Sequence, residues 1–132
     1  TDRREILSGP QWADIAGLAL DPLNSKLYFS FQNPLSAAPV AGGIARIDLD
    51  GKNPEVVVGA LVRPAGLAVD PVNKLVYWAD PRSVLPSDHA GVIEMASLDG
   101  TERRIVLGGL SGSGPSASAV SVWPIGRPFP TK

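Results

Sequence analysis

His89 is the only histidine of the chain, and there is no cysteine. Thiolate nucleophiles, disulfides and Cys-type zinc sites are therefore excluded. A nucleophile–base set is defined by geometry, so none is nominated, and His89 reads as an ordinary loop residue. Asp48-Leu-Asp-Gly51 has the look of a calcium loop, but the twelfth position, where a bidentate Glu would stand, is Gly59. Its counterpart further on reads Ser97-Leu-Asp-Gly100, without the first acid, so a plain hairpin turn is the better reading. Asp21 and Asp70 are the weak candidates for a metal site. Each stands before a Pro and three residues before an Asn, a pattern in which the carboxylate also serves its own turn. No Gly-rich phosphate loop is present.

The elements that must position these residues are written twice. Ile15-Ala-Gly-Leu-Ala-Leu-Asp-Pro-Leu-Asn24 is followed by Pro64-Ala-Gly-Leu-Ala-Val-Asp-Pro-Val-Asn73, and Gly17/Gly66, Asp21/Asp70, Asn24/Asn73, Tyr28/Tyr77 and Gly51/Gly100 match at one constant spacing. A repeat of this period means one supersecondary unit stacked on its neighbours. Within the first copy, strands are expected over residues 17–21, 27–31, 43–49 and 54–58, with an Asp-Pro-x-Asn turn after the first and an Asp-Gly turn after the third. The second copy repeats the plan over 66–70, 75–80, 92–98 and 103–107. Gly or Pro interrupts nearly every candidate helical window.

The fold class is therefore all-β. Four antiparallel strands in a repeat of this length are the size of a β-propeller blade. Residues 1–10 resemble the stretch from Thr101, so they are expected to be the fourth strand of a preceding blade. Residues 11–60 and 61–108 are two blades, and residues 109–132 are a Gly/Ser/Pro-rich linker and tail with room for one further strand. The whole is expected to be part of a larger or oligomeric propeller, because two blades leave sheet edges and faces uncovered.

The Gly66-containing stretch, together with Tyr77-Trp-Ala-Asp80 and Met95-Ala-Ser-Leu-Asp-Gly-Thr-Glu-Arg-Arg104, resembles the YWTD repeats of the low-density-lipoprotein-receptor family (class B) over residues 1–107. Ala79 replaces the motif's Thr, and in the first copy only Tyr28 survives. The resemblance implies a six-bladed, extracellular propeller that binds other proteins. It also implies that Tyr28, Tyr77, Trp78 and Asp80 are structural residues that hold blades together.

Lys plus Arg is 12 and Asp plus Glu is 13. That balance gives no footprint for nucleic acid or an anionic membrane. No apolar run approaches the ~18 residues of a spanning helix. The sequence opens without a leader, so a signal peptide is expected to have lain upstream or to have been removed. No cofactor is expected.

Two functions follow. The first is a non-enzymatic interaction or structural module whose partner is another protein or a further copy of the chain. Its specificity is expected in the long second loops of the two blades, at Leu35, Val40, Arg82, Val84, Leu85 and His89. The alternative is a fragment of a lactonase-like propeller hydrolase with a central metal, and it rests on Asp21 and Asp70 alone.

Overall fold

A computed structural model describes residues 3–33, 41–80 and 91–110. The described elements are all strands: β1 (Leu18–Asp21), β2 (Lys26–Gln32), β3 (Gly42–Asp48), β4 (Glu55–Leu61), β5 (Leu67–Asp70), β6 (Leu75–Asp80), β7 (Gly91–Ser97) and β8 (Arg104–Leu110). They form two four-stranded sheets in the orders β1-β2-β3-β4 and β5-β6-β7-β8, every neighbour antiparallel. These are two propeller blades, and the all-β expectation holds. Among the described residues, no helix is long and apolar enough to cross a membrane.

The duplication extends to the irregularities. The β3–β4 ladder shifts register on both sides of Ile44, and the β7–β8 ladder does so on both sides of Ile93. Ser25 and Lys74 both have positive φ, as do Asn53 and Glu102, and Gly51 and Gly100 share φ +89°. The tight turns are built alike: the Gly51 amide donates to the Asp48 carbonyl, and the Gly100 amide donates to the Ser97 carbonyl, both at 2.8 Å.

The fourth strands run further than their sequence suggests. Gly59 and Gly108 read as strand ends, yet β4 continues to Leu61, which pairs with Gly42, and β8 continues to Leu110, which pairs with Gly91. The bulge at the preceding Ile absorbs the extra residue, so the ladder resumes beyond the glycine. Leu110 is therefore paired in the sheet, two residues beyond the limit expected for the blade.

The main core lies between the sheets. Blade 1 contributes Tyr28, Ile44, Val58 and Leu61, and blade 2 contributes Leu67, Val76, Trp78, Ala96 and Leu98. A second cluster, Phe29, Phe31, Ala45 and Ile47, occupies the opposite face of blade 1 and is packed by Leu7 and Trp12 from the N-terminal segment. Trp12 stands edge-on to Phe29 and Phe31, with centroids 5.5 and 4.9 Å away. Residues 3–9 carry no strand assignment. A fourth strand needs a third strand beside it, and both third strands described, β3 and β7, are already paired on each side.

Candidate functional site at the inter-blade seam

The polar side chains of each repeat act mainly where one blade meets the other or where a turn closes on itself. Asp21 accepts hydrogen bonds from the Asn24 backbone amide (3.1 Å) and side-chain amide (2.8 Å). Asp70 accepts the same pair from Asn73, at 3.2 and 2.8 Å. Each carboxylate thus binds its own Asp-Pro-x-Asn turn, as the turn chemistry predicts. Among the described residues, no group of three or more His, Cys, Asp or Glu side chains is placed to hold a metal ion. In the Asp48–Gly51 turn, Asp48 is held by Lys26 and by Asn53. Those two donors keep its carboxyl below the usual carboxylate range.

Asp80, fully buried, reaches across the seam. It accepts the amides of Val62 and Arg63, each at 3.2 Å, in the segment that links β4 to β5. From the blade 1 side, the Ser30 hydroxyl donates to the Ala65 carbonyl (2.7 Å) and the Gln32 side-chain amide donates to the Val62 carbonyl (2.8 Å). The linking segment is therefore clamped by both blades, and the amides of Val62 and Arg63 and the carbonyls of Val62 and Ala65 are satisfied although partly buried.

Trp78 lies fully buried against blade 1. Its outer neighbour is Arg103, whose guanidinium sits 5.9 Å from the ring centroid and makes a two-point ion pair with the buried Glu94, at 2.9 and 3.2 Å. Tyr28 occupies the seam from the other side. Its hydroxyl lies 3.4 Å from the Leu98 carbonyl of blade 2, and Arg46 donates to both that hydroxyl (3.1 Å) and that carbonyl (3.0 Å). Tyr77, at the equivalent place in blade 2, is half-buried on the face that points away from blade 1.

Burial pushes the Tyr28 hydroxyl above its ordinary value of 10.0, against the pull of Arg46. A raised folded-state value favours the neutral form. Its contribution is complete below about pH 10 and is lost as pH rises through the folded-state value. Melting temperature followed upward from pH 9 is expected to fall less steeply for Tyr28→Phe than for the parent chain. The variant is expected to lose about 1 kcal/mol at neutral pH, since Arg46 keeps its bond to the Leu98 carbonyl when the two contacts of the hydroxyl are removed. Parallel alkaline limbs would show that Tyr28 does not govern the seam's pH response.

A cleft of about 440 Å3 runs along the seam between the Asp21–Lys26 region of blade 1 and the Lys74 and Leu98–Asp99 turns of blade 2. It mixes both charge signs, and two of its three cations are engaged, Lys26 with Asp48 and Arg46 with Glu55. The site is therefore a cohesive contact between blades.

The structure brings together Tyr28, Trp78 and Asp80, places Tyr77 on the far face, and separates Asp21 and Asp70 into their own turns. Leu35, Val40, Arg82, Val84, Leu85 and His89 lie outside the described residues. Sequence reasoning missed Arg46, Ser30, Gln32 and the Glu94–Arg103 pair. The available signal was the aligned position at which the repeats differ: Arg46 in blade 1 stands where blade 2 has Met95.

No family model matches the chain, and no curated protein does. Among solved structures, it is similar to a chain of the crystal structure of a nidogen/laminin complex, at 28% identity and a TM-score of 0.58. The match covers 71% of this chain and 32% of that one, so this chain spans about a third of the length of its structural relative. The similarity supports reading the two sheets as a segment of a propeller.

Proposed function

We propose that this chain is two consecutive blades, with the fourth strand of a preceding one, of a YWTD-type propeller that serves as a non-enzymatic, extracellular protein-recognition module. Residues 11–60 and 61–108 are the blades in this reading, with β4 and β8 running one and two residues beyond those limits, and residues 1–10 complete a blade in front of them. The further blades come from a longer polypeptide or from other copies. The observation that carries the reading is the seam, where both sheets share one apolar cluster and Asp80 of the second repeat holds the segment that links the blades. The relative at 28% identity was solved as a nidogen/laminin complex, a protein–protein assembly, which supports recognition of a protein as the role.

The first experiment is light scattering coupled to size exclusion, with a hydrophobic dye and a urea melt on the same sample. The chain alone is expected to bind dye through its uncovered end faces and to unfold at low urea. A dye-silent 13.8 kDa monomer with a steep transition at high urea would overturn the reading, because it would be a finished domain.

A further inference from the structure

Each repeat places an Asp-Gly pair at the same point of the same turn, Asp50-Gly51 after β3 and Asp99-Gly100 after β7. Such a pair is chemically labile. The glycine nitrogen, unshielded by a side chain, can attack Cγ of the protonated aspartic acid. The new C–N bond closes a five-membered succinimide, the nitrogen gives up its proton, and the carboxyl oxygen departs as water. Water then reopens the ring. Opening at the former backbone carbonyl leaves isoaspartate, with one extra methylene in the main chain and no net change of mass. The asparagines described are barred or tied. Asn33 and Asn53 precede Pro, which has no N–H. The Asn24 and Asn73 side chains are bonded to Asp21 and Asp70.

The two turns share their backbone. Gly51 and Gly100 both have φ of +89°. Both aspartates accept the amide two residues on, that of Lys52 or Thr101, at 3.0 Å. What holds the turns differs. Asp99 also accepts the Thr101 hydroxyl at 2.7 Å. The hydroxyl first, and then the amide, keep its carboxyl below the usual carboxylate range, in the ionised form that resists attack. Lys52 stands in the place of Thr101 and carries no hydroxyl.

Blade 1 also pins the second turn from both sides. The Leu98 carbonyl just before Asp99 accepts from Tyr28 and Arg46. Leu98 is 8% exposed, whereas Leu49, its counterpart, is 39% exposed. A Cβ on Gly100 would overlap the carbonyl oxygen of Val57, because β4 passes directly over this turn. A Cβ on Gly51 would stand 2.8 Å from the carbonyl oxygen of Ile6, in a segment with no strand assignment. Ring closure requires the glycine amide to leave the carbonyl it donates to, Asp48 or Ser97. The second turn cannot open in this way without displacing a paired strand of blade 1.

We infer that Asp50-Gly51 is a site of spontaneous isoaspartate formation, and that Thr101 and the inter-blade seam hold its twin, Asp99-Gly100, inert. The chain then ages at the open end of blade 1, while the contact between the blades keeps its covalent structure.

The test incubates the chain in neutral buffer with a stabilising osmolyte, which keeps it folded throughout. Isoaspartate is followed by methylation with an isoaspartyl carboxyl methyltransferase. Peptide mapping locates it, since the isomer elutes apart at unchanged mass. Formation at Asp50 is expected to be on the order of tenfold faster than at Asp99, the weight of one hydrogen bond to a charged group. In urea sufficient to unfold the chain, the two rates are expected to converge. Asp50→Glu, whose longer side chain cannot close the five-membered ring, is expected to remove the main product. Thr101→Val is expected to raise the rate at Asp99 and to leave Asp50 unchanged. Equal rates in the folded chain, a faster rate at Asp99, or a difference that survives unfolding would overturn the inference. So would a Thr101→Val chain in which Asp99 stays as slow as in the parent.

Discussion

Trp78→Ala is expected to remove about 3–5 kcal/mol of stability, the usual cost of deleting a buried large aromatic. The side chain is fully buried and sits in a cluster to which both sheets contribute. Its loss leaves a void in a cluster whose blade 1 members, Ile44, Val58 and Leu61 among them, cannot follow without breaking their own ladders. The Arg103 guanidinium also loses the ring beside it, although its ion pair to Glu94 remains. The indole nitrogen has no hydrogen-bond partner, so Trp78→Phe forfeits no polar contact and is expected to cost about half as much. Urea melts in a stabilising osmolyte, which keeps the weaker variants folded at the start, measure both. A loss below about 1 kcal/mol for the alanine variant would show that the seam is not what holds the pair together.

Gly100→Ala is expected to cost about 3 kcal/mol, and Gly51→Ala about 1 kcal/mol. The two glycines have the same φ of +89°, so backbone strain is common to both substitutions. What differs is the neighbour. The Val57 carbonyl belongs to a paired strand and cannot retreat, whereas the Ile6 carbonyl lies at 2.8 Å in a segment with no ladder to hold it. The difference between the variants therefore isolates the contact of a fourth strand with the following turn. Equal losses in paired thermal melts would mean that strain alone accounts for both, and that the strand-over-turn contact contributes nothing.

Much of the architecture was legible because the repeat places turn chemistry at fixed intervals. Asp21 with Asn24, Asp70 with Asn73, and the two Asp-Gly turns set the strand order without help from propensity. Strand ends were less legible. Gly59 and Gly108 look like breaks, and only the bulges at Ile44 and Ile93 reveal that the ladder continues past them. The seam was half legible. Tyr28, Trp78 and Asp80 stood out as a motif, but a motif does not state which face each residue takes. The period-two alternation of a strand sends Trp78 to the front of its blade and Tyr77 to the rear. Arg46 was passed over because matching two repeats draws the eye from the position where they disagree, Arg46 against Met95. Trp12 was missed because it lies in a segment with no strand pattern, and its role comes from a cluster formed by two other strands.

The strand order within each sheet follows the order of the chain. Every pairing is therefore a hairpin between consecutive segments, and loop closure is cheap at each step. A nascent chain can assemble blade 1 strand by strand as it emerges. It cannot yet make that blade durable, since Tyr28, Ile44, Val58 and Leu61 find their apolar cover in residues that follow Leu61 in the sequence. Pairing is quick and local while consolidation waits for the next unit. A pause in synthesis between Leu61 and Trp78 is therefore the moment at which a correctly paired blade is most exposed to misassociation.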